Sequence, residues 1–133
     1  MTVFADTSGL YALLVRTEER HDEVARAFAR ILERRQPLVT TNYILLETAA
    51  LLQRRIGLPA VRDLDERLVP VCTVVWVTEA MHRRAVDRLI RAGRRGLSLV
   101  DCVSFGVMEE EGIGEALALD QDFADAGFRV TPG

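Results

Sequence analysis

The chain has 133 residues, of which 49% are hydrophobic and 28% charged. This is the size and composition of one globular domain, which we place at residues 1–133, and it excludes a disordered chain. The formal net charge is −3 at pH 7, so bulk electrostatics alone gives no reason to expect nucleic-acid binding.

The basic residues show an unusual bias, because all 17 are arginine and none is lysine. Genomic base composition is the simplest cause. Arginine nevertheless forms bidentate contacts with phosphate and stacks on bases. The lack of lysine excludes Schiff-base chemistry, a Walker lysine and a lysine-dependent phosphoryl receiver site.

Cysteines and apolar runs indicate a cytoplasmic protein. Cys72 and Cys102 lie in apolar segments without metal-ligand spacing, so we predict two buried thiols and a reducing compartment. The chain begins without the features of a signal peptide. No apolar run approaches the roughly 18 residues that a membrane span needs.

Strand-like and helix-like patterns alternate along the chain. In chain order, the first half predicts a strand at 2–5, a helix at 10–15 beginning near Ser8, an amphipathic helix at 21–34, a strand at 38–40, a helix at 42–55 and a short helix at 60–68. The second half predicts a strand at 73–77, helices at 79–92 and 99–111, and strands at 116–119 and 128–130. This alternation predicts an α/β sandwich around a mostly parallel sheet.

Four acidic residues interrupt or follow apolar runs: Asp6, Glu47, Asp101 and Asp120. Asp6 and Asp120 follow predicted strands, and the carboxyl ends of parallel strands share one edge of a sheet. Asp101 lies in the first turn of its helix, and Glu47 lies one to two turns into another. We therefore expect an acidic pocket that binds Mg²⁺ or Mn²⁺ and activates water for phosphoryl chemistry.

Each acid also has a purely structural explanation. Asp6 and Asp120 are candidate turn or helix caps, and Asp101 could form a capping box with Ser98. Glu47 lies in a helix that is apolar almost all round, so an arginine partner is the alternative to a metal.

The motifs in this order resemble those of the PIN-domain family, in particular its small VapC-type toxins. The resemblance spans nearly the whole chain and rests on four segments: Asp6-Thr7-Ser8 after the first strand, Thr40-Thr41-Asn42 before the helix with Glu47, the stretch 97–105 around Asp101, and Leu119-Asp120-Gln121-Asp122-Phe123. The residues before the fourth acid are Ala118 and Leu119, a small departure from the family's pattern.

The resemblance implies a three-layer α/β/α fold and an Mg²⁺- or Mn²⁺-dependent endoribonuclease that acts on RNA. It also implies a homodimer and a small cognate antitoxin protein. Asp6, Glu47, Asp101 and Asp120 match the family's acidic quartet as catalytic and metal-binding residues. Asp122 matches a further metal-binding acid and Ser8 a supporting hydroxyl.

Arg94 and Arg95 precede the Asp101 helix, on a loop that we expect near the acidic edge of the sheet. They are candidates for contacts with an RNA backbone, which needs positive charge beside an acidic pocket. The alternative is a solvated loop.

Three hypotheses follow for function. The leading one is a toxin endoribonuclease. The second is a housekeeping nuclease for RNA processing or DNA cleavage with the same site. The third is a regulatory binding partner without catalysis, in which the acids would be structural.

Overall fold

Five parallel strands form the centre of the molecule in the computed structural model, which describes residues 1–133. The strands are β1 (Val3–Ala5), β2 (Leu38–Thr41), β3 (Cys72–Val75), β4 (Glu115–Leu117) and β5 (Arg129–Thr131). Their order in the sheet is β3-β2-β1-β4-β5. Val3 aligns with Leu38 of β2 on one side and with Glu115 of β4 on the other, so β1 is central.

Seven α-helices connect the strands. They are α1 (Thr7–Leu14), α2 (His21–Glu33), α3 (Asn42–Arg55), α4 (Leu58–Asp63), α5 (Glu79–Ala92), α6 (Leu99–Glu111) and α7 (Gln121–Asp125). A π-helical turn (Leu64–Leu68) and a 3₁₀ turn (Val69–Val71) extend α4 towards β3. None of these helices is both long and apolar enough to cross a membrane.

The strand order places the helices in two layers. The chain moves from β1 to β2 to β3 in one direction, then returns past β1 to β4 and β5. Right-handed crossovers therefore put α1 to α4 on one face and α5 to α7 on the other. Consistently, α1 packs on α2 and α3, while α6 packs on α5 and α7. The predicted three-layer α/β/α fold is confirmed.

The core is centred on β1, whose three residues are fully buried. Phe123 of α7 is buried as well and packs against Phe4 of β1 and Phe105 of α6, at centroid distances of 6.4 and 5.1 Å. The short helix α7 is thereby fixed against both the sheet and α6. This matters because α7 begins beside the acidic residues.

Several helices and strands begin or end at residues other than those predicted. A helix begins at Leu58, because Pro59 sits in the first turn of α4, where proline is tolerated. Strand β3 ends at Val75, and Trp76 is 71% exposed. Strand β4 ends at Leu117, so Asp120 follows the strand after two further residues rather than directly. Cys102 is buried as predicted, whereas Cys72 is only half-buried on the edge strand.

The apolar helix α1 is buried within the chain. Leu10, Tyr11 and Ala12 all belong to the core. Its hydrophobicity is therefore explained without a second copy of the protein.

Candidate metal and active site

The acidic residues gather where the sheet changes its winding direction. Strands β1 and β4 are neighbours there, although the chain leaves them towards opposite faces. Ligands bind at such a switch point in open α/β sheets, outside the carboxyl ends of the strands. Asp6 comes directly after β1, and Asp120 follows β4 within three residues. The sheet topology thus brings together two acids that lie 114 positions apart in the chain.

Asp6 is a buried carboxylate that caps helix α1. It is only 4% exposed, and its Oδ2 accepts hydrogen bonds from the backbone N–H of Ser8 (3.2 Å) and the Ser8 hydroxyl (2.6 Å). Burial raises the pKa of Asp6 to about 7; the Ser8 bonds oppose this, and the Asp101 charge adds to it. Asp6 is therefore a cap and also a strongly perturbed acid, a combination typical of functional sites.

Ser8 connects the two strand ends. Its hydroxyl donates to Asp6 and accepts a hydrogen bond from the backbone N–H of Leu119 at 2.9 Å. The backbone N–H of Asp6 in turn donates to the carbonyl of Leu117 at 3.1 Å. These bonds hold the segment leading to Asp120 beside Asp6.

Asp101 combines the predicted capping box with a place among the acids. The Ser98 hydroxyl accepts from the backbone N–H of Asp101 (3.0 Å), and Asp101 Oδ2 accepts from the Ser98 N–H (3.4 Å). Asp101 is 7% exposed. Burial, then the Asp120 charge, raise the pKa of Asp101 to about 6, against the lowering effect of the Ser98 bonds. The capping role therefore does not exclude a functional one.

Asp120 and Asp122 complete a cluster with Asp101. One carboxylate oxygen from each of the three lies within 4.8 Å of the others. Asp120 Oδ1 accepts from the backbone N–H of Asp122 at 3.0 Å, which caps α7 and fixes the spacing of the pair. Partial burial and then the charge of Asp120 raise the pKa of Asp122. Three carboxylates this close repel one another unless a cation lies between them.

Glu47 on α3 lines the same space as these acids. An open cleft of about 420 Å³ is lined by Asp6, Glu47, Asp101 and Asp120. Glu47 is half-buried on α3, and none of the ion pairs in the structure involves it. The alternative of an arginine partner for Glu47 is thus not observed.

The donor set of the cleft fits a hard divalent cation. The groups offered are carboxylate oxygens, which Mg²⁺ and Mn²⁺ prefer, and no thiol or imidazole lines the cleft. Thr7 also lines the cleft, and its buried hydroxyl has no hydrogen-bond partner. A cation would offset both the repulsion among the acids and the cost of burying them.

The two arginines of the Gly93–Gly96 loop differ in position. Arg94 Nη1 lies 3.8 Å from Asp122 Oδ1, so its guanidinium is at the edge of the acidic cluster. Arg95 is exposed and does not line the cleft. The loop approaches the acidic edge as expected, and of its two arginines only Arg94 contacts the acidic cluster.

Sequence reasoning missed several residues that line the cleft: Thr7, Tyr11, Glu18, Leu51, Arg55, Gly96 and Ser98. For two of them a signal existed. Leu51 and Arg55 lie four and eight positions after Glu47, so helical spacing places all three on one face of α3. Tyr11 has the sequence context of an ordinary core residue in an apolar run, and no local pattern indicates that it lines a cleft.

A parallel α/β fold with a carboxylate cluster at its switch point defines a class of metal-binding enzymes that act on phosphate esters. The PIN domain family matches residues 3–129, and the chain belongs to this family.

Individual proteins of known sequence and structure are similar to this chain over nearly its whole length. The chain is 40% identical over 128 residues to the 23S rRNA-specific endonuclease VapC20 of Mycobacterium tuberculosis, in both strains compared, covering 95% of each chain. The crystal structure of M. tuberculosis VapC20, a sarcin-ricin loop cleaving toxin, is similar at a TM-score of 0.86 and 38% identity, covering 96% of each chain.

More distant structures share the fold. FitAcB from Neisseria gonorrhoeae matches at a TM-score of 0.70 and 13% identity, over 97% of this chain and 96% of that one. PAE2754 from Pyrobaculum aerophilum matches at 0.65 and 20% identity, over 99% and 90%. The resemblance to a VapC-type PIN-domain nuclease that the sequence motifs indicated is therefore confirmed.

Proposed function

We propose that this chain is the toxin of a toxin–antitoxin pair and that it hydrolyses RNA with Mg²⁺ or Mn²⁺ at the acidic cleft. The observation that carries the proposal is the convergence of Asp6, Glu47, Asp101 and Asp120 on one cleft at the switch point of the sheet. The likeness to VapC20 across nearly the whole chain supports the same enzyme class.

Asp101, Asp120 and Asp122 are the residues that would hold the cation, since their oxygens are already grouped. Asp6 lies close enough to Asp101 to share its charge environment and would contribute a further ligand. When bound, a divalent cation supplies Lewis-acid stabilisation of phosphoryl charge and makes hydroxide available near neutral pH.

The remaining groups position and prepare these acids. Ser8 holds the Asp6 carboxylate by two hydrogen bonds and ties it to the end of β4. Glu47, which lines the same cleft and has no ion-pair partner, would orient the attacking water. The raised pKa values of Asp6 and Asp101 mean that both must lose a proton near neutral pH before they bind a cation.

Water is the nucleophile in this proposal. Its oxygen forms the new bond to phosphorus while the bond to the 3′-oxygen breaks, so the upstream fragment leaves with a 3′-hydroxyl and the downstream fragment keeps a 5′-phosphate. The two histidines support this choice because neither lines the cleft. His21 Nδ1 is within 2.7 Å of the carbonyl of Ala12, and His82 Nδ1 is within 2.8 Å of the Tyr43 hydroxyl. No histidine pair is available to activate a ribose 2′-hydroxyl.

For the substrate we propose 23S ribosomal RNA, and within it the sarcin-ricin loop that VapC20 cleaves. An RNA loop presents unstacked bases and an accessible backbone, which an open cleft can admit. A small antitoxin encoded beside the toxin and a homodimer complete the proposal, and both rest on the likeness to VapC-type proteins.

The test uses purified, antitoxin-free protein with intact 23S ribosomal RNA and with a sarcin-ricin loop hairpin, in Mg²⁺, Mn²⁺ or EDTA. Asp101→Asn keeps an oxygen that can accept the Ser98 N–H bond but removes the charge, and should lower the cleavage rate about 100-fold or more. Glu111→Gln is the matched control, an exposed acid at the other end of the same helix.

Metal-dependent cleavage that is lost in Asp101→Asn, retained in Glu111→Gln, and leaves 5′-phosphate ends would support the proposal. Cleavage in EDTA or 2′,3′-cyclic phosphate ends would contradict it. Expression in a host cell separates a toxin from a housekeeping nuclease, since growth arrest relieved by the adjacent small gene is expected only for the toxin.

A further inference from the structure

Arg55 stands apart from every other group that lines the acidic cleft. It is the last residue of α3, on the face that also carries Glu47 and Leu51, and all three line the cleft. Arg55 is the only cation among the lining residues, which include five acids: Asp6, Glu18, Glu47, Asp101 and Asp120. Among the residues that line the cleft, Arg55 is therefore the one that offers positive charge to a phosphodiester strand.

Arg55 is not neutralised by its acidic neighbours. Glu18 and Glu47 line the same cleft, yet no ion pair in the structure involves Arg55. By contrast, Arg84 and Arg88 on α5 pair with Glu110 and Glu109 at 2.8 Å. The guanidinium of Arg55 therefore keeps all its donors available for a ligand.

An aromatic platform fixes the direction of Arg55. Its Cζ lies 5.6 Å from the ring centroid of Tyr11, within the range of a cation–π contact. Tyr11 belongs to the buried core of α1 and is 8% exposed, so the ring is a rigid support. A cation–π contact uses none of the N–H donors of the guanidinium, so they remain able to bind a phosphate in bidentate fashion.

We propose that Arg55 binds a backbone phosphate of the RNA strand next to the scissile bond. It lies eight residues beyond Glu47, or about 12 Å along the helix axis, so we place its phosphate beside the reacting phosphate rather than at it. Arg55 is thus a positioning residue that sets the path of the strand. This inference rests on the proposed function.

The experiment compares three variants in cleavage of the sarcin-ricin loop hairpin. Arg55→Ala should raise KM about tenfold and leave kcat within about twofold, as expected for loss of one charged hydrogen-bonding contact remote from the reaction. The salt dependence of log(kcat/KM) should become shallower by about one unit. Arg55→Lys should recover the salt slope but only part of the affinity, because lysine lacks the planar fork.

Arg54→Ala is the matched control. Arg54 is the preceding exposed arginine on the same helix end and does not line the cleft, so its loss should leave KM and the salt slope unchanged. Equal values for Arg55→Ala and Arg54→Ala would overturn the inference, as would a loss confined to kcat. Weaker binding of the antitoxin with unchanged RNA kinetics would also overturn it and assign Arg55 to the protein partner.

The same experiment distinguishes failure of the proposed function from failure of the inference about Arg55. If the wild-type protein cleaves no RNA under any metal condition, both the function and the role of Arg55 are refuted. If the wild type cleaves and the Arg55 variants match it, only the inference is refuted. Thermal melting of each variant and recovery by Arg55→Lys separate lost RNA contact from lost folding.

Discussion

At the scale of single residues, Asp6 links stability to pH. Its pKa is raised from 3.8 to about 7 by burial. The folded protein therefore holds a proton that the unfolded chain releases near pH 4. Between about pH 4 and 7 the free energy of unfolding falls as pH rises, because deprotonation leaves a buried charge.

We predict that Asp6 alone lowers the free energy of unfolding of the metal-free protein by on the order of 3 kcal/mol across that window and that Asp6→Asn removes this contribution. The raised pKa of Asp101, about 6, adds a loss of the same sign that remains in the variant. Asparagine keeps an oxygen to accept the Ser8 bonds without the buried charge. Urea denaturation at pH 5 and pH 7.5 in EDTA would measure the change in the free energy of unfolding with pH, with Glu111→Gln as the control. A variant with the same pH slope as the wild type would contradict the assignment of this slope to Asp6.

Ser8 is the second residue-scale determinant, since its hydroxyl bonds both Asp6 and the N–H of Leu119. Ser8→Ala removes the hydroxyl bond that favours the ionised Asp6 and keeps only the backbone N–H bond, so the pKa of Asp6 should rise further. We expect a stability loss of about 1–2 kcal/mol and an alkaline shift of the acidic limb of the cleavage profile. Ser8→Thr, which keeps the hydroxyl, should restore that limb; an unshifted Ser8→Ala profile would refute the role.

At the scale of elements, the close contact between α1 and β4 depends on Gly9. A Cβ on Gly9 would overlap the carbonyl oxygen of Leu117, which is backbone and cannot turn aside. Gly9→Ala should therefore cost roughly 2 kcal/mol or more, although alanine favours helices by about 1 kcal/mol over glycine. It should also displace Asp6 from the end of β4 and lower activity.

Gly106 in α6 provides the matched comparison, because a Cβ there meets nothing within 4 Å. Gly106→Ala should stabilise the protein by about 0.5–1 kcal/mol through helix propensity alone. Urea denaturation of both variants gives the test. Equal changes in the free energy of unfolding for the two variants would contradict the close contact between α1 and β4.

Local signals explain which elements the sequence predicts well. The approximate bounds predicted for helices α5 and α6 agree with the structure, because Thr78 and Ser98 cap their N-termini and Gly93 and Gly112 end them in the left-handed conformation. Strand ends depend on the neighbouring strand instead. Pairing with β1 stops β4 at Leu117, two residues before its predicted end, and no local pattern contains that information.

The candidate site likewise contains some residues that the sequence predicts and others that it does not. Asp6, Asp101 and Asp120 were predictable because strand ends and helix starts place them on one edge of a parallel sheet. Helical spacing places Arg55 on the Glu47 face of α3, but its contact with Tyr11 is not predictable from the sequence. That contact joins α1 to α3 across 44 positions and depends on how the two helices pack. The positions of the acidic residues follow from the topology of the sheet, whereas the positions of the residues beside the proposed substrate path follow from how the helices pack.

At the scale of the whole molecule, metal binding and folding should be coupled. Asp101, Asp120 and Asp122 repel one another in the folded protein and are dispersed in the unfolded chain. A cation that binds only the folded state stabilises it by about 2.7 kcal/mol at 100 times its dissociation constant. Mg²⁺ or Mn²⁺ should therefore raise the melting temperature, and EDTA should reverse the increase.

This stabilisation should itself depend on pH, and the sign follows from the raised pKa values of Asp6 (about 7) and Asp101 (about 6). Protons compete with the cation below those values, so the metal-induced rise in melting temperature should be small at pH 5.5 and large at pH 8. Binding should release protons, which calorimetry in two buffers of different ionisation enthalpy would detect. An Asp101→Asn, Asp120→Asn double variant should show neither effect, whereas Glu111→Gln should show both. A metal-induced shift of equal size in the double variant would place the cation elsewhere and remove the physical basis of the proposed active site.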